Sequence, residues 1–207
     1  ILAAQGDIDA SRRILGEQRV LFPERAIALY LIEAQILVEN DRPAEAASVY
    51  DVALKAFPGN IDLLYARAMH AASEQRLEVL ERDLRSILAA EPDHADALNA
   101  LGYTLADQTD RYEEAFELIS RALELKPENA AILDSMGWVQ YRLGNLEAAL
   151  DYLRRAAARD DDSEIAAHLG EVLWELGQQE EARRVWQEAL EKDPEHAKLR
   201  QTVERYR

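Results

Sequence analysis

The sequence predicts an all-α protein built from consecutive helical hairpins. One observation is its composition: Ala, Leu, Glu and Arg are abundant, whereas Phe occurs only 3 times in 207 residues. Such a mixture is typical of helical proteins. The second observation is a set of glycines, alanines and prolines that recur at nearly constant spacing. Recurrence of this kind indicates a chain made of repeated structural units.

Three segments show the repetition most clearly, and each predicts two helices joined by a short turn. They read LGYTLADQTDRYEEAFELISRALELKP from Leu101, MGWVQYRLGNLEAALDYLRRAAARD from Met136 and LGEVLWELGQQEEARRVWQEALEKDP from Leu169. Their small residues recur every 33 to 35 positions: Gly102, Gly137 and Gly170; Ala115, Ala149 and Ala182; Ala122, Ala156 and Ala189. A glycine in a first helix permits close approach, and we expect the second-helix alanines to meet it. Prolines that stop a helix close most of the units: Pro58, Pro92, Pro127 and Pro194.

This periodicity resembles the tetratricopeptide repeat, a helix–turn–helix unit of about 34 residues. The resemblance implies a right-handed α-solenoid, in which stacked hairpins form the core that one hairpin cannot form alone. We divide the chain into a partial repeat 1–26, five repeats at 27–60, 61–94, 95–129, 130–162 and 163–196, and a C-terminal capping helix 197–207. Residues 1–26 begin in an apolar helix tail, so we expect further repeats before Ile1 in a longer parent protein.

Two local departures from the repeat carry their own predictions. Repeat 95–129 has one extra residue around the sequence ADQTD, which we expect to lie in the hairpin turn. Asp161 stands where the closing proline is expected, and Asp162 or Ser163 can then cap the next helix.

Charge and composition exclude several classes of function. The formal net charge is −16, only four residues are lysine and no basic run exceeds two residues, which argues against a nucleic-acid partner. The acidic balance instead indicates a protein partner that is neutral or basic where it makes contact. The chain has no cysteine and therefore no disulfide or thiolate metal site.

The sequence contains no recognisable catalytic constellation. His94 and His196 follow closing prolines and are expected in solvated turns, His168 lies within a helix and could line a surface, and His70 completes the set of four histidines. The acidic run at 160–162 lacks the glycine and ligand spacing of a calcium loop and is better explained as a solvated helix start. No metallopeptidase, phosphate-loop or serine-hydrolase motif occurs. We therefore expect a protein that is not an enzyme and has no catalytic residue, cofactor or metal.

The tetratricopeptide resemblance also implies where a partner would bind. In such solenoids the first helices line the concave face, and their second, fifth, ninth, twelfth and thirteenth positions face the groove. The candidate groove residues, with His168 added as an adjacent residue, are Tyr65, Met69, Asn99, Tyr103, Asp134, Trp138, Tyr141, Arg142, His168, Glu171, Trp174 and Glu175. Aromatic side chains beside a few polar groups are typical of peptide-binding hot spots. Carboxylates in this set would repel an acidic tail, so we expect a neutral, apolar or basic ligand.

A second reading of the aromatic residues remains open. Trp138 and Trp174 could pack between repeats, because large aromatic side chains often belong to the core. Gln140 stands where an apolar residue is common, so Tyr141 could turn partly inward to compensate. Trp186 lies on a second helix, and we expect it in the core.

Two stretches resemble a narrower group of proteins. DALNALGYTLAD (residues 96–107) and AILDSMGWVQYRLGNLEAAL (residues 131–150) are similar to the C-terminal repeats of proteobacterial multi-repeat outer-membrane lipoproteins. One type within that group partners a periplasmic carboxyl-terminal processing protease and delivers cell-wall hydrolases to it. The resemblance implies a periplasmic protein, tethered to the outer membrane by a lipid anchor outside this chain. A cytoplasmic location stays open.

The function that these observations favour is a non-enzymatic adaptor that docks such a protease and its hydrolase substrates. The alternative is an assembly factor for a membrane complex such as a pilus or secretion channel. A third possibility is a repeat appendage of an enzyme domain outside this chain.

Overall fold

The computed structural model describes residues 7–206, and α-helices are the dominant structure of that range. Within it, one turn of 3-10 helix spans Pro23–Arg25 and no residue forms a β-strand. The α-helices are α1 (Ile8–Leu21), α2 (Ala26–Glu39), α3 (Pro43–Ala56), α4 (Ile61–Ser73), α5 (Leu77–Ala90), α6 (Ala95–Gln108), α7 (Tyr112–Leu125), α8 (Ala130–Arg142), α9 (Leu146–Ala157), α10 (Ser163–Glu175), α11 (Gln179–Lys192) and α12 (Ala197–Arg205). The predicted all-α fold is confirmed.

The helices form two compact units. Unit 1 contains α1 to α5 within residues 7–92, and its α2 and α3, like its α4 and α5, pack as hairpins. Unit 2 contains α6 to α12 within residues 93–206, and its hairpins are α6–α7, α8–α9 and α10–α11. In unit 2 the first helices of successive hairpins also touch, and α12 packs on α10 as another first helix would. The faces of α6, α8, α10 and α12 therefore meet along one side of the stack.

Side-chain caps fix the starts of several first helices. Asn60 and Asn129 accept backbone hydrogen bonds from Leu63 and Ile132, and Asp162 accepts one from Glu164 at 2.7 Å, which confirms the cap predicted there. The solvated turns predicted for His94 and His196, which follow closing prolines, are not what the structure shows. Both residues are half-buried, and their Nδ1 atoms are the N-cap acceptors of α6 and α12. An unprotonated imidazole nitrogen accepts the orphan helix N–H as a carboxylate would.

The extra residue of repeat 95–129 lies in a helix and not in the turn where we expected it. Helix α6 has 14 residues and α8 has 13, whereas each is followed by three residues before the next helix begins. Other hairpin turns in the described chain use a residue with positive φ, such as Gly144 at 82° or Gly177 at 78°. Thr109 instead ends α6 in an extended conformation, with its hydroxyl donating to the Leu105 carbonyl at 2.6 Å. The turn therefore needs no left-handed residue.

Close helix packing explains the recurrent glycines, although the alanines alone do not fill the space opposite them. A Cβ atom at Gly102 would lie 2.6 Å from Ile119 Cγ1, and one at Gly137 would lie 2.5 Å from Leu153 Cγ. At Gly170 the added atom would overlap the indole ring of Trp186. The alanines contribute through their size and their backbone carbonyls, while a large side chain from the second helix occupies the gap. Trp186 is buried in the unit 2 core, as predicted.

Unit 1 buries charge as well as apolar surface. The Asp83 carboxylate, 1% exposed, accepts two hydrogen bonds from the Arg67 guanidinium at 2.6 and 2.9 Å. Glu33 is also buried and accepts from Arg12 and Arg19. Such carboxylates are stable in the interior only while they are paired.

Candidate functional site

Aromatic rings from three successive first helices meet in unit 2. Trp138 on α8 stacks on His168 of α10 with ring centroids 4.1 Å apart. Tyr103 on α6 approaches the same imidazole at 6.0 Å, and Tyr141 lies 5.1 Å from Trp138. We call these four residues the ring cluster. The structure thus brings together four of the predicted groove residues across the repeats.

His168 is the centre of the ring cluster and is fully buried, whereas the sequence suggested that it could line a surface. Its Nδ1 lies 2.9 and 3.1 Å from the two carboxylate oxygens of Asp134, which is also buried. Since a carboxylate accepts, we assign the Nδ1 hydrogen as its donor. The Nε2 atom of His168 and the indole nitrogen of Trp138, a residue 6% exposed, have no hydrogen-bond partner within residues 7–206. Buried polar atoms without partners are uncommon in proteins.

A lysine from the C-terminal helix completes this side of unit 2. Lys198 Nζ donates to the Tyr103 hydroxyl oxygen at 2.5 Å and to Glu164 Oε1 at 2.8 Å. It lies 3.6 Å from an Asp107 carboxylate oxygen, and 5.2 and 5.4 Å from the ring centroids of Tyr103 and Trp138. We call Tyr103, Asp107, Trp138 and Glu164 the ammonium cradle. It combines two carboxylates, one hydroxyl and two aromatic faces around a single positive charge.

The charges in the cradle depend on one another. Burial by itself would raise the pKa of Glu164, but the attraction of Lys198 and its hydrogen bond outweigh burial, so the pKa is lowered. The pKa of Tyr103 is raised, chiefly by burial and then by the negative charges of Glu164 and Asp107. Tyr103 therefore keeps its hydroxyl hydrogen, which it donates to Glu164 Oε1 at 2.5 Å. The hydroxyl relays a hydrogen bond between the ammonium and the carboxylate.

Helix α12 covers the predicted groove residues at the C-terminal end of α10. Glu171 is buried, accepts from the Thr202 hydroxyl at 3.0 Å and lies 3.7 Å from the Arg205 guanidinium. Trp174 is half-buried in an aromatic group with Trp186 and Tyr206, at centroid distances of 5.8 and 5.4 Å. The second reading of Trp174, packing within the stack, therefore describes its contacts. The exposed Glu175 accepts from the Tyr206 hydroxyl at 3.5 Å.

The remaining predicted groove residues lie apart from the ring cluster. Arg142 donates to the Tyr112 hydroxyl at 2.5 Å and to the Asp107 carbonyl at 3.2 Å, and its guanidinium lies over the Tyr112 ring. Asn99 on α6 is half-buried, with a buried side-chain oxygen that has no partner among the described residues. Tyr65 and Met69 lie half-buried on α4 and belong to unit 1.

Sequence reasoning missed Glu164 and Lys198, each of which makes a 2.5 Å hydrogen bond with the Tyr103 hydroxyl. Both occupy the second residue of their helices, a position that the resemblance had already assigned to the groove. The signal was therefore present in the register of α10 and α12. For Lys198, the prediction of a capping helix at 197–207 assigned α12 no groove positions of its own.

Two kinds of site are absent from the part of the chain that the structure describes. No group of three or more histidine, aspartate or glutamate side chains is arranged to hold a metal ion within residues 7–206. In the same range, no helix combines the length and the apolar character needed to cross a bilayer.

Comparisons with known proteins agree with this architecture. A TPR repeat-containing protein of Pseudomonas aeruginosa is 50% identical over 171 residues, which are 83% of this chain and 29% of that protein. The chain thus spans about three tenths of that relative's length. A thermophilic TPR protein of Thermus thermophilus superposes with a TM-score of 0.72 at 25% identity, over 84% of this chain and 96% of the other. PilW, described as a type IV pilus biogenesis factor, gives 0.70 at 20% identity, over 79% and 76% of the two chains.

The family models extend the same result along nearly the whole chain. Tetratricopeptide repeat models match residues 1–61, 33–79 and 65–130, then 108–170, and finally 163–196. The matches include helices α1 to α11 and end before α12. The structure supplies the paired helices and close-packed glycines that such repeats require. This chain belongs to the tetratricopeptide repeat family.

Proposed function

We propose that this protein is a non-enzymatic interaction scaffold that binds a segment of a partner protein through the first helices of unit 2. The observation that carries the proposal is the ring cluster, which joins α6, α8 and α10 and lies beside carboxylates. Aromatic side chains supply large contact area at small entropic cost, and clustered aromatics are enriched where binding energy concentrates. Tetratricopeptide folds generally present surfaces to proteins, which agrees with this role.

The charge of the site favours a partner segment with neutral, apolar or basic side chains. Asp107 and Glu164 belong to the cradle, and Asp134 pairs with His168 of the ring cluster. The chain as a whole has a net charge of −16. An acidic segment would meet like charge there, which costs free energy and slows association. A basic segment would be attracted over the length of the acidic chain.

We further propose that the partner is a periplasmic carboxyl-terminal processing protease and that its substrates are cell-wall hydrolases. The support is the similarity of residues 96–107 and 131–150 to multi-repeat outer-membrane lipoproteins, one type of which has this role. The scaffold would hold protease and substrate together, and a raised effective concentration would accelerate cleavage without chemistry from the scaffold. The proposed location is the periplasm, with the outer-membrane anchor in a longer parent chain.

Retention from a periplasmic extract tests the proposal. The immobilised chain is compared with a Tyr103→Ala variant and with Tyr152→Ala, a matched control on the second helix α9. Trp138 is left intact, because it is buried and its loss would disturb folding. We expect mass spectrometry to find a processing protease or cell-wall hydrolase on the parent and the control, and reduced on Tyr103→Ala.

A turnover assay distinguishes an adaptor that promotes cleavage from a protein that binds the protease without affecting cleavage. Adding the chain to the retained protease and hydrolase should raise the rate of cleavage, and Tyr103→Ala should raise it less. Unchanged turnover would reject the adaptor mechanism. Recovery of only membrane-assembly components would replace it with the assembly-factor function.

A further inference from the structure

The ammonium cradle is occupied by a side chain that helix α12 does not need for its own anchorage. Leu199 and Thr202, both buried, fix α12 against the unit 2 core. Lys198 points its charge into the cradle from a side chain that is 29% exposed. Its flexible stem can leave while Leu199 and Thr202 hold the helix in place.

The cradle itself is open to solvent at its carboxylates. The Glu164 side chain is 39% exposed and that of Asp107 is 28% exposed. An incoming ammonium can therefore reach both carboxylates from outside. The aromatic faces beneath them add cation–π attraction, which is strongest for partly desolvated cations.

The stacked side chains of Trp138 and His168 provide a second observation at the cradle. Trp138 carries an indole N–H without a partner, and the Nε2 atom of His168 is likewise unpaired within the described residues. Both side chains are more than nine-tenths buried, where a polar atom without a partner lowers stability. Trp138 is itself a cradle residue and His168 stacks on it, so both unpaired polar atoms belong to side chains in contact at the site.

We propose that the cradle recognises a lysine side chain of the partner segment, and that Lys198 is an internal competitor which the partner's lysine displaces. This inference rests on the proposed scaffold function and specifies its ligand. A lysine ammonium matches the cradle as a compact charge with three donors, two of which reach the Tyr103 hydroxyl and Glu164 in the resident arrangement. A carboxylate or phosphate would meet Glu164 and Asp107 as like charges.

Competition sets the expected effect of removing Lys198. The apparent dissociation constant of a competing ligand equals its intrinsic value divided by the fraction of molecules in which the cradle is free. If Lys198 fills the cradle most of the time, replacing it by a neutral side chain should tighten binding about five- to tenfold. The Lys198→Met variant keeps the length of the stem and removes the charge.

The test uses small probes and therefore needs no identified partner. Nα-acetyl-lysine N-methylamide is titrated into the 15N-labelled full chain while the assigned indole signal of Trp138 is followed by NMR. We expect Lys198→Met to bind about five- to tenfold more tightly than the parent chain. Lys192→Met is the matched control, because Lys192 pairs with the exposed Asp161 on another face and should leave binding unchanged.

Further arms identify the group that is recognised. The isosteric neutral probe acetyl-norleucine N-methylamide should not bind, and Lys198→Met combined with Glu164→Gln should lose the response to the lysine probe. Glycinamide offers an amino terminus instead of a side chain, and tighter binding of glycinamide than of the lysine probe would overturn the side-chain assignment. Circular dichroism and thermal melts establish that each variant is folded, with Lys198→Gln as a second neutral replacement.

The outcomes for the cradle and for the scaffold are separable. A folded Lys198→Met variant that binds the lysine probe no better than Lys192→Met does would reject the competitor role. That result would leave the scaffold function standing if Tyr103→Ala still loses a retained protein. Conversely, probe affinities in the expected order would support lysine recognition by the cradle even if Tyr103→Ala retained every protein that the parent chain retains.

Discussion

Gly137 offers a quantitative test of how the hairpins of unit 2 pack. It lies on α8 directly against α9, where the second helix brings Leu153 into the space that a side chain would need. We predict that Gly137→Ala lowers the free energy of unfolding by about 2 kcal/mol. The sign is informative, because the same substitution at an uncrowded helix position stabilises a protein.

The magnitude follows from two opposing contributions. An added Cβ would lie 2.5 Å from Leu153 Cγ and 3.2 Å from the Ala149 carbonyl oxygen. Because Cγ is the branch point of a fully buried leucine, the whole side chain or the helix must shift. Overpacking of this kind costs up to about 3 kcal/mol. The higher helix propensity of alanine returns about 1 kcal/mol, which leaves a net loss of about 2 kcal/mol.

The assay is urea unfolding followed by far-ultraviolet circular dichroism, with a double-mutant cycle as its control. Leu153→Ala alone should cost about 2–5 kcal/mol, because it leaves a cavity. In that background Gly137→Ala should become neutral or stabilise by up to about 1 kcal/mol, since the obstructing side chain is gone. The packing argument is refuted if Gly137→Ala leaves the parent chain equally or more stable, or if its effect is the same in both backgrounds.

Three further predictions test other features by the same unfolding measurement. Asp83→Ala should cost about 3 kcal/mol, because it leaves the partly buried Arg67 without its main partner. Gly144→Ala should cost about 1 kcal/mol from its φ of 82° alone, since no atom crowds the site. Because Lys198 lowers the pKa of Glu164, that carboxylate stabilises the fold above its ordinary pKa and loses this contribution as the pH falls through its folded pKa. Glu164→Gln should therefore be less stable than the parent at neutral pH by at most about 1 kcal/mol, and this difference should disappear in acid, once the carboxylate is protonated in the folded state.

Each of these predictions has a result that would contradict it. Asp161→Asn breaks an exposed ion pair and should leave stability nearly unchanged. An equally small effect of Asp83→Ala would show that burial of Asp83 does not matter. A neutral or stabilising Gly144→Ala would show that the turn relaxes without a left-handed residue. A stability gap between Glu164→Gln and the parent that persists in acid would have a cause other than its ionisation.

The sequence was sufficient for features that depend on neighbouring residues or on a single hairpin. The spacing of Gly102, Gly137 and Gly170 predicted the paired helices, because each glycine marks a contact made within its own repeat. The capping role of Asp162 and the burial of Trp186 follow equally from local pattern. Such signals depend on residues close together in the sequence, and they recur in each repeat along the chain.

The candidate site was harder to predict, because its contacts cross several repeats. Helical register places Trp138 and Tyr103 on the first-helix faces, but it does not reveal that His168 inserts between them. The link between His168 and Asp134 joins residues 34 positions apart, and that between Lys198 and Tyr103 joins residues 95 positions apart. Periodicity gives the face on which a side chain lies, whereas what covers that face depends on side-chain length and on helices further along the stack.

The link between Lys198 and Tyr103 also changes how binding would affect unit 2. In a solenoid each repeat normally contacts only its neighbours, so local disruptions stay local. Lys198 instead connects α12 to α6 through the Tyr103 hydroxyl, and to α10 through the Glu164 carboxylate. A ligand that takes the place of Lys198 removes this connection but leaves Leu199 and Thr202 packed against the core. The first turn of α12 is therefore the part that becomes less stable. Hydrogen exchange of the α12 backbone would then rise at its N-terminal turn on binding, whereas a ligand that left Lys198 in place would protect the same amides.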